Sequence, residues 1–194
     1  MGDLFHDDVP VDFIYEVLQR VYEAHQHVFQ VLTKRPARMM EIMNRGRYLV
    51  NGITPMKNLW FGVTAEDQQR ADERIPLLLQ TPAAVRFVSV EPMLTPVDLA
   101  EYFSPDSCHT FPDGTTYPSL CQSPSCGTAI DWVIIGCESG PNRRPMDLDW
   151  ARDLVVQCKA AGVSVFVKQL SIDGHVSHDP AEWPEDLRAR EFPA

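Results

Sequence analysis

The chain contains no apolar run near the roughly 20 residues that a membrane span requires. Its first ten residues, MGDLFHDDVP, have neither the basic start nor the apolar centre of a secretion signal. These absences point to a cytoplasmic protein with no membrane partner. Positive charge is also scarce. Against 27 Asp and Glu there are 17 Lys and Arg, a formal net charge of -10, which argues against binding duplex nucleic acid through bulk electrostatics and leaves room only for a local basic patch. Cysteines number five, an odd count without a secretion signal, and so read as thiols or metal ligands rather than a disulfide framework.

What is present is the composition of a core. With 44% apolar residues over 194 positions, the length favours one domain spanning residues 1–194. Short apolar runs rich in Val, Phe and Ile recur, each ending in polar residues: HVFQVLTKRP (27–36), NLWFGVTAED (58–67), AVRFVSVEPM (84–93), DWVIIGCESG (131–140) and GVSVFVKQL (162–170). Continuous apolar character over such lengths suits strands buried on both faces of a parallel sheet.

Helical patterns separate the runs. Phe13, Ile14, Val17, Leu18, Val21 and Tyr22 share one helix face, as do Trp150, Leu154, Val155 and Cys158 before a stop at Gly162. Arg38 to Met43 reads as a shorter helix. Thr64 and Asp67 read as a cap before EDQQRADERI, with Pro76 kinking that helix or opening a second. Strand and helix alternate at about 30 residues, the spacing of βα units. The expectation is a partial (β/α) barrel with about five parallel strands, interrupted at 104–129 by a loop insertion rich in Cys, Pro and Ser.

Ligands of parallel α/β proteins gather at the C-terminal strand ends. Here those ends supply Thr33, Lys34 and Arg35; Thr64, Glu66 and Asp67; Ser89 and Glu91; Cys137, Glu138 and Ser139, followed by Arg143 and Arg144; and Lys168 and Gln169. Interleaved cations and carboxylates of this kind would form one polar mouth. Lys34, Arg35, Arg143, Arg144 and Lys168 are the candidate anion contacts, and Glu91 and Glu138 the polar anchors, because a charge just past an apolar strand is costly without a partner or ligand. The structural alternative is that βα loops are polar in any case, that Thr64 caps a helix and that Glu91 faces solvent. The glycines of GCESG permit a tight turn but are a weak phosphate signal.

DLFHDDVP, FQVLTKRP, the block from LWFGVTAEDQ to RFVSVEPML, IDWVIIGCESGPNRRPM and GVSVFVKQL together resemble a phage and prophage family of radical-SAM-like proteins with a three-cysteine motif. The resemblance covers nearly the whole chain outside the cysteine-rich insertion. It implies a barrel related to radical S-adenosylmethionine enzymes, with an iron–sulfur cluster and S-adenosylmethionine in full-length relatives. Those relatives carry a G-C-x(n)-G-C-x-x-C-Y-A segment upstream of DLFHDDVP, so the resemblance also implies that Met1 is an internal methionine of a longer ancestor and that this chain is N-terminally truncated.

Cys108, Cys121 and Cys126 follow the spacing C-x12-C-x4-C, which does not match the cluster triad. With His109 they offer soft ligands for zinc, which would staple the insertion; the alternative is a loop of unligated thiols. Cys158 reads as a core residue and Cys137 as a thiol at the rim. His6, Asp7 and Asp8 read as a metal set or a solvated acidic turn, and Trp183 as the clamp of a C-terminal tail. Two functions follow. One is an enzyme-derived barrel acting on a nucleotide, nucleic acid or other anionic substrate, without cluster-dependent activity of its own. The other is a non-catalytic module contacting a host or phage protein. A barrel of so few units leaves a strand edge uncovered, which invites self-association or a protein partner.

Overall fold

A computed structural model describes residues 2–46, 55–103 and 129–193. The chain runs α1 (Val11–Glu23), β1 (Phe29–Thr33), α2 (Pro36–Gly46), β2 (Leu59–Thr64), α3 (Gln68–Leu79), β3 (Val85–Val90), β4 (Trp132–Gly136), α4 (Leu148–Ala161), β5 (Ser164–Ile172) and β6 (His175–Ser177). The strands form one six-stranded sheet in the order β1-β2-β3-β4-β5-β6. The first five pair in parallel, as their apolar runs predict, and the sheet curls into a half-barrel. β6 was not expected. It returns antiparallel on the end of β5 after a turn in which Asp173 and Gly174 adopt positive φ.

The two sheet faces differ. Leu59, Phe61, Val63, Val88, Val90, Val133, Ile135, Val165 and Val167 join the helices in the main core. Residues alternating with them face inward: Gln30 and Leu32, Trp60 and Gly62, Phe87, Trp132 and Ile134, Phe166 and Lys168. This inner face is floored by rings, with Trp132 packing on Trp60, Phe87, Phe166 and Phe192 at centroid distances of 5.4–6.1 Å.

The helices follow from their sequences with some corrections. In α1, Ile14, Leu18 and Val21 are buried but Phe13 is exposed, so the buried stripe is narrower than the apolar pattern. The cap of α3 is Asp67, whose carboxylate accepts the Arg70 amide at 2.8 Å; Thr64 is the last residue of β2. Pro76 lies inside α3 and opens no second helix. Gly162 stops α4 in the left-handed region, where a residue without Cβ is unstrained. Residues 178–193 clamp back as expected of the tail: Trp183 is buried, and its Nε1 donates to Ser177 Oγ at 3.0 Å.

The tail also closes an edge of the sheet. Val167 N donates to Ala189 O and Glu191 N to Val165 O, both at 2.9 Å, so residues 189–191 lie antiparallel along the half of β5 that β6 does not cover. Among the described residues β1, at the other side of the sheet, has β2 as its one neighbouring strand.

Candidate functional site

Because β1 to β5 are parallel, their C-terminal ends meet at one rim, and the chain after β3 crosses it. Leu94 N donates to Glu66 O and Met93 N to Gly136 O, each at 2.9 Å, tying the segment after β3 to the ends of β2 and β4. The result is an open cleft of about 280 Å³ lined by Lys34, Glu66, Asp67, Arg70, Pro92, Leu94, Glu138 and Arg144. Five of the rim residues read from the sequence, Lys34, Glu66, Asp67, Glu138 and Arg144, thus come together from the ends of three strands.

The wall is built of ion pairs. Glu66 is mostly buried and accepts from Lys34 through Oε1 and from Arg74 Nη1 through Oε2 at 2.8 Å; Arg74 also donates to Thr64 O at 2.6 Å. Burial works against ionisation of Glu66, but the Lys34 hydrogen bond and the two cationic charges hold its carboxyl below the usual range. Glu138 accepts three bonds from one residue: Arg144 N at 2.8 Å, Nε at 2.9 Å and Nη2 at 2.6 Å. These bonds draw its carboxyl down to about 2. Arg70, on the first turn of α3, pairs with Glu73 at 2.5 Å.

Charge alone makes this cleft close to neutral, but hydrogen-bonding capacity does not. Both oxygens of Glu66 and both of Glu138 already accept from cations. An ammonium carries about three N–H donors and a guanidinium about five. Among the described residues Lys34 uses one of its donors on Glu66, Arg70 Nη1 is its one side-chain donor to a protein acceptor, and Arg144 Nη1 has no protein acceptor. The third carboxylate of the lining, Asp67, accepts the Arg70 amide through Oδ1, so among the described residues the unused capacity of the cleft is mainly donor capacity, with Asp67 Oδ2 as its spare carboxylate acceptor.

The remaining sequence candidates separate into neighbours and supports. Lys168 Nζ lies 2.8 and 3.0 Å from the two oxygens of Glu91, on the inner face just beyond the cleft, and the Glu91 side chain lies over Gly136, where a Cβ would sit 3.1 Å from it. Thr33 is buried and donates to Asp3 at 2.8 Å, while Arg35 pairs with Asp3 at 3.0 Å. Burial opposes ionisation of Asp3, yet the bonds from Thr33, the Phe5 and Lys34 amides and Arg35 outweigh it and lower its carboxyl. Thr33 and Arg35 thus anchor the segment before α1, which Arg38 also holds by donating to the His6 and Val9 carbonyls. Thr64 and Ser89 are buried beneath the rim. Ser139 is exposed. Arg143 donates to the carbonyls of Gly140 and Gly174, joining the loop after β4 to the β5–β6 turn.

Cys137 is not a reactive rim thiol: it is buried, and burial together with the nearby Glu91 charge pushes its thiol up. Cys158 is a core residue on α4 with its thiol pushed up to about 12 by burial. The His6 ring accepts from the Asp8 amide at 3.2 Å, and among the described residues no group of three His, Cys, Asp or Glu side chains could hold a metal ion. Cys108, His109, Cys121 and Cys126, with nearly all of the 104–129 insertion, lie outside the described residues.

Arg70 was missed as a cleft residue. Its signal was available, since the first turn of a helix after a parallel strand rises from the same rim as the strand end. No helix among the described residues is long and apolar enough to cross a membrane. The family model described as "Protein of unknown function (DUF5131)" matches residues 1–184. No curated protein matches the chain, and no solved structure does.

Proposed function

We propose that this chain, which belongs to the DUF5131 family of proteins of unknown function, binds an anionic, acceptor-rich ligand of the nucleotide or nucleic-acid class in the rim cleft, as a barrel derived from an enzyme. The observation that carries the reading is the excess of unused donors on Lys34, Arg70 and Arg144 beside Glu66 and Glu138, whose oxygens are already engaged. Phosphoryl oxygens suit such a wall, because guanidinium and ammonium groups bond them with charge assistance. Glu91 and Lys168, adjoining the cleft, would meet the uncharged part of the ligand.

Calorimetric titration of the purified chain with a nucleoside triphosphate and with a short single-stranded oligonucleotide tests this. Arg144→Ala and Lys34→Ala should each weaken binding by roughly tenfold, since a hydrogen bond to a charged group contributes about 1.5–3 kcal/mol. Arg152→Ala, whose side chain pairs with Asp149 and Asp186 away from the cleft, should leave binding unchanged. Absence of binding, or binding indifferent to Lys34 and Arg144, would overturn the reading.

The relation to radical S-adenosylmethionine enzymes belongs to the same proposal and is supported at the level of a curled, mostly parallel α/β sheet. The described residues do not fit a cluster: Cys137 and Cys158 are buried, with thiols that resist the deprotonation a ligand needs. Zinc held by Cys108, His109, Cys121 and Cys126 remains part of the proposal, to be read from the metal content of the purified chain. A second reading, a non-catalytic module for a host or phage protein, is favoured by one feature: Glu66 and Glu138 already neutralise the cations beside them, so the fold needs no ligand for charge balance.

A further inference from the structure

The two margins of the sheet are treated differently. The outer edge of β5 is closed along its length by β6 and by residues 189–191, all from the same chain. Among the described residues nothing pairs with the outer edge of β1. Natural edges are guarded by charge, proline or a bulge, and the β1 sequence FQVLT has no charge or proline and pairs with β2 in unbroken register. Two of the six large apolar side chains exposed among the described residues, Val28 and Leu32, lie on or beside β1.

We infer that β1 pairs antiparallel with β1 of a second copy, Gln30 facing Gln30 across a twofold axis. The register follows from the backbone. Phe29 N donates to Asn58 O at 2.8 Å, so the backbone groups of Phe29, Val31 and Thr33 turn toward β2. Those of Val28, Gln30 and Leu32 alternate with them and turn outward. An antiparallel pair exchanges bonds between residues whose backbones face each other and whose side chains share a sheet face. Centring the axis on Gln30 meets both conditions. It sets Val28 against Leu32 of the second copy on the inner face and Phe29 against Val31 on the helix face.

The strand is thus its own complement, apolar toward both ends of its inner face with a neutral amide between, and it carries no charge that would select a different partner. A twofold contact is closed and recruits no third copy. It places both α1 helices on the same side of the joined sheet and leaves the two rim clefts at opposite ends. The inference does not depend on what the cleft binds.

Sedimentation equilibrium of the full chain from micromolar to millimolar concentration should show a dimer of about 44 kDa, twice 22.0 kDa. Leu32→Lys changes an exposed residue, so it should give a monomer with an unaltered circular dichroism spectrum. Gln30→Cys should cross-link to itself under mild oxidation, because facing bonded residues have Cα atoms about 5.5 Å apart. Peptide mapping should locate the bond at residue 30 rather than at a native cysteine. Val28→Cys and Leu32→Cys should not cross-link singly but should do so when the two variants are mixed. A monomer at every concentration, or a dimer that survives Leu32→Lys and shows no residue-30 bond, would overturn the inference.

Discussion

Gly62 shows how one missing atom can be specified by another strand. It lies on the inner face of β2, and the ring of Phe87, its register partner on β3, occupies the space where a Cβ would project. The contact would be well inside van der Waals distance and the ring is hemmed by Trp132, so Gly62→Ala should destabilise the fold by ~1–3 kcal/mol, the usual range for overpacking. A lowered midpoint in urea with an unchanged slope would register it; an unchanged midpoint would mean that the ring moves aside at no cost. Nothing in NLWFGVTAED marks this glycine as required, because its partner is brought by register and not by sequence proximity. Glu138 gives a second test at this scale. Three bonds from Arg144 draw its carboxyl from 4.5 to about 2, so the pairing contributes fully above pH 4.5 and is lost as the pH falls toward 2. The Glu138 side-chain carbonyl resonance should titrate near 2 in the wild type and higher, toward 4.5, in Arg144→Ala, which loses the two guanidinium bonds and keeps the backbone one; one midpoint in both proteins would show the pair to be unformed in solution.

At the level of elements, sequence and structure agree where burial is two-sided and part where it is not. β2, β3 and β4 are buried nearly throughout and appear in the sequence as unbroken apolar runs. β6 has three residues, His175, Val176 and Ser177, with only Ser177 buried, and no periodicity can reveal so short a strand. Residues 189–191 were equally hidden, since their order comes from backbone pairing with β5 and from rings and not from an apolar pattern of their own. The tail as a clamp was legible in Trp183, which sits between prolines. Trp183→Ala should cost ~3–5 kcal/mol, the range for removing a buried aromatic, and should also loosen the Arg188 contacts to the Trp183 carbonyl. Thermal unfolding followed by circular dichroism measures the loss. A shift near zero would mean that the tail is not part of the cooperative unit.

For the molecule as a whole, the acidic balance and the donor-rich cleft act at different ranges. A net charge of -10 repels an approaching polyanion over about a Debye length, ~8–10 Å at physiological salt, while the donors of Lys34, Arg70 and Arg144 act only on contact. A single phosphorylated nucleotide should therefore compete better for the cleft, relative to a longer oligonucleotide, as salt is lowered. The sequence made the rim legible because parallel strands share a direction, so that any polar residue after an apolar run had to lie at one end. It did not make legible which rim residues serve the cleft and which serve the fold. Thr33 and Arg35 bind Asp3, and that pairing depends on how the segment before α1 folds back over the end of β1.

Strand order in space repeats strand order in the chain, β1 through β6, without a skip. Each strand therefore docks on the one made just before it, which keeps the entropy of loop closure smaller than an order with skipped strands would. A ribosome would release the sheet in the order in which it assembles. The strip that closes β5, residues 189–191, emerges after everything it covers. Until those residues leave the exit tunnel, the nascent chain carries an open strand at its growing margin, and this is the interval in which a chaperone or a neighbouring nascent chain has access to it.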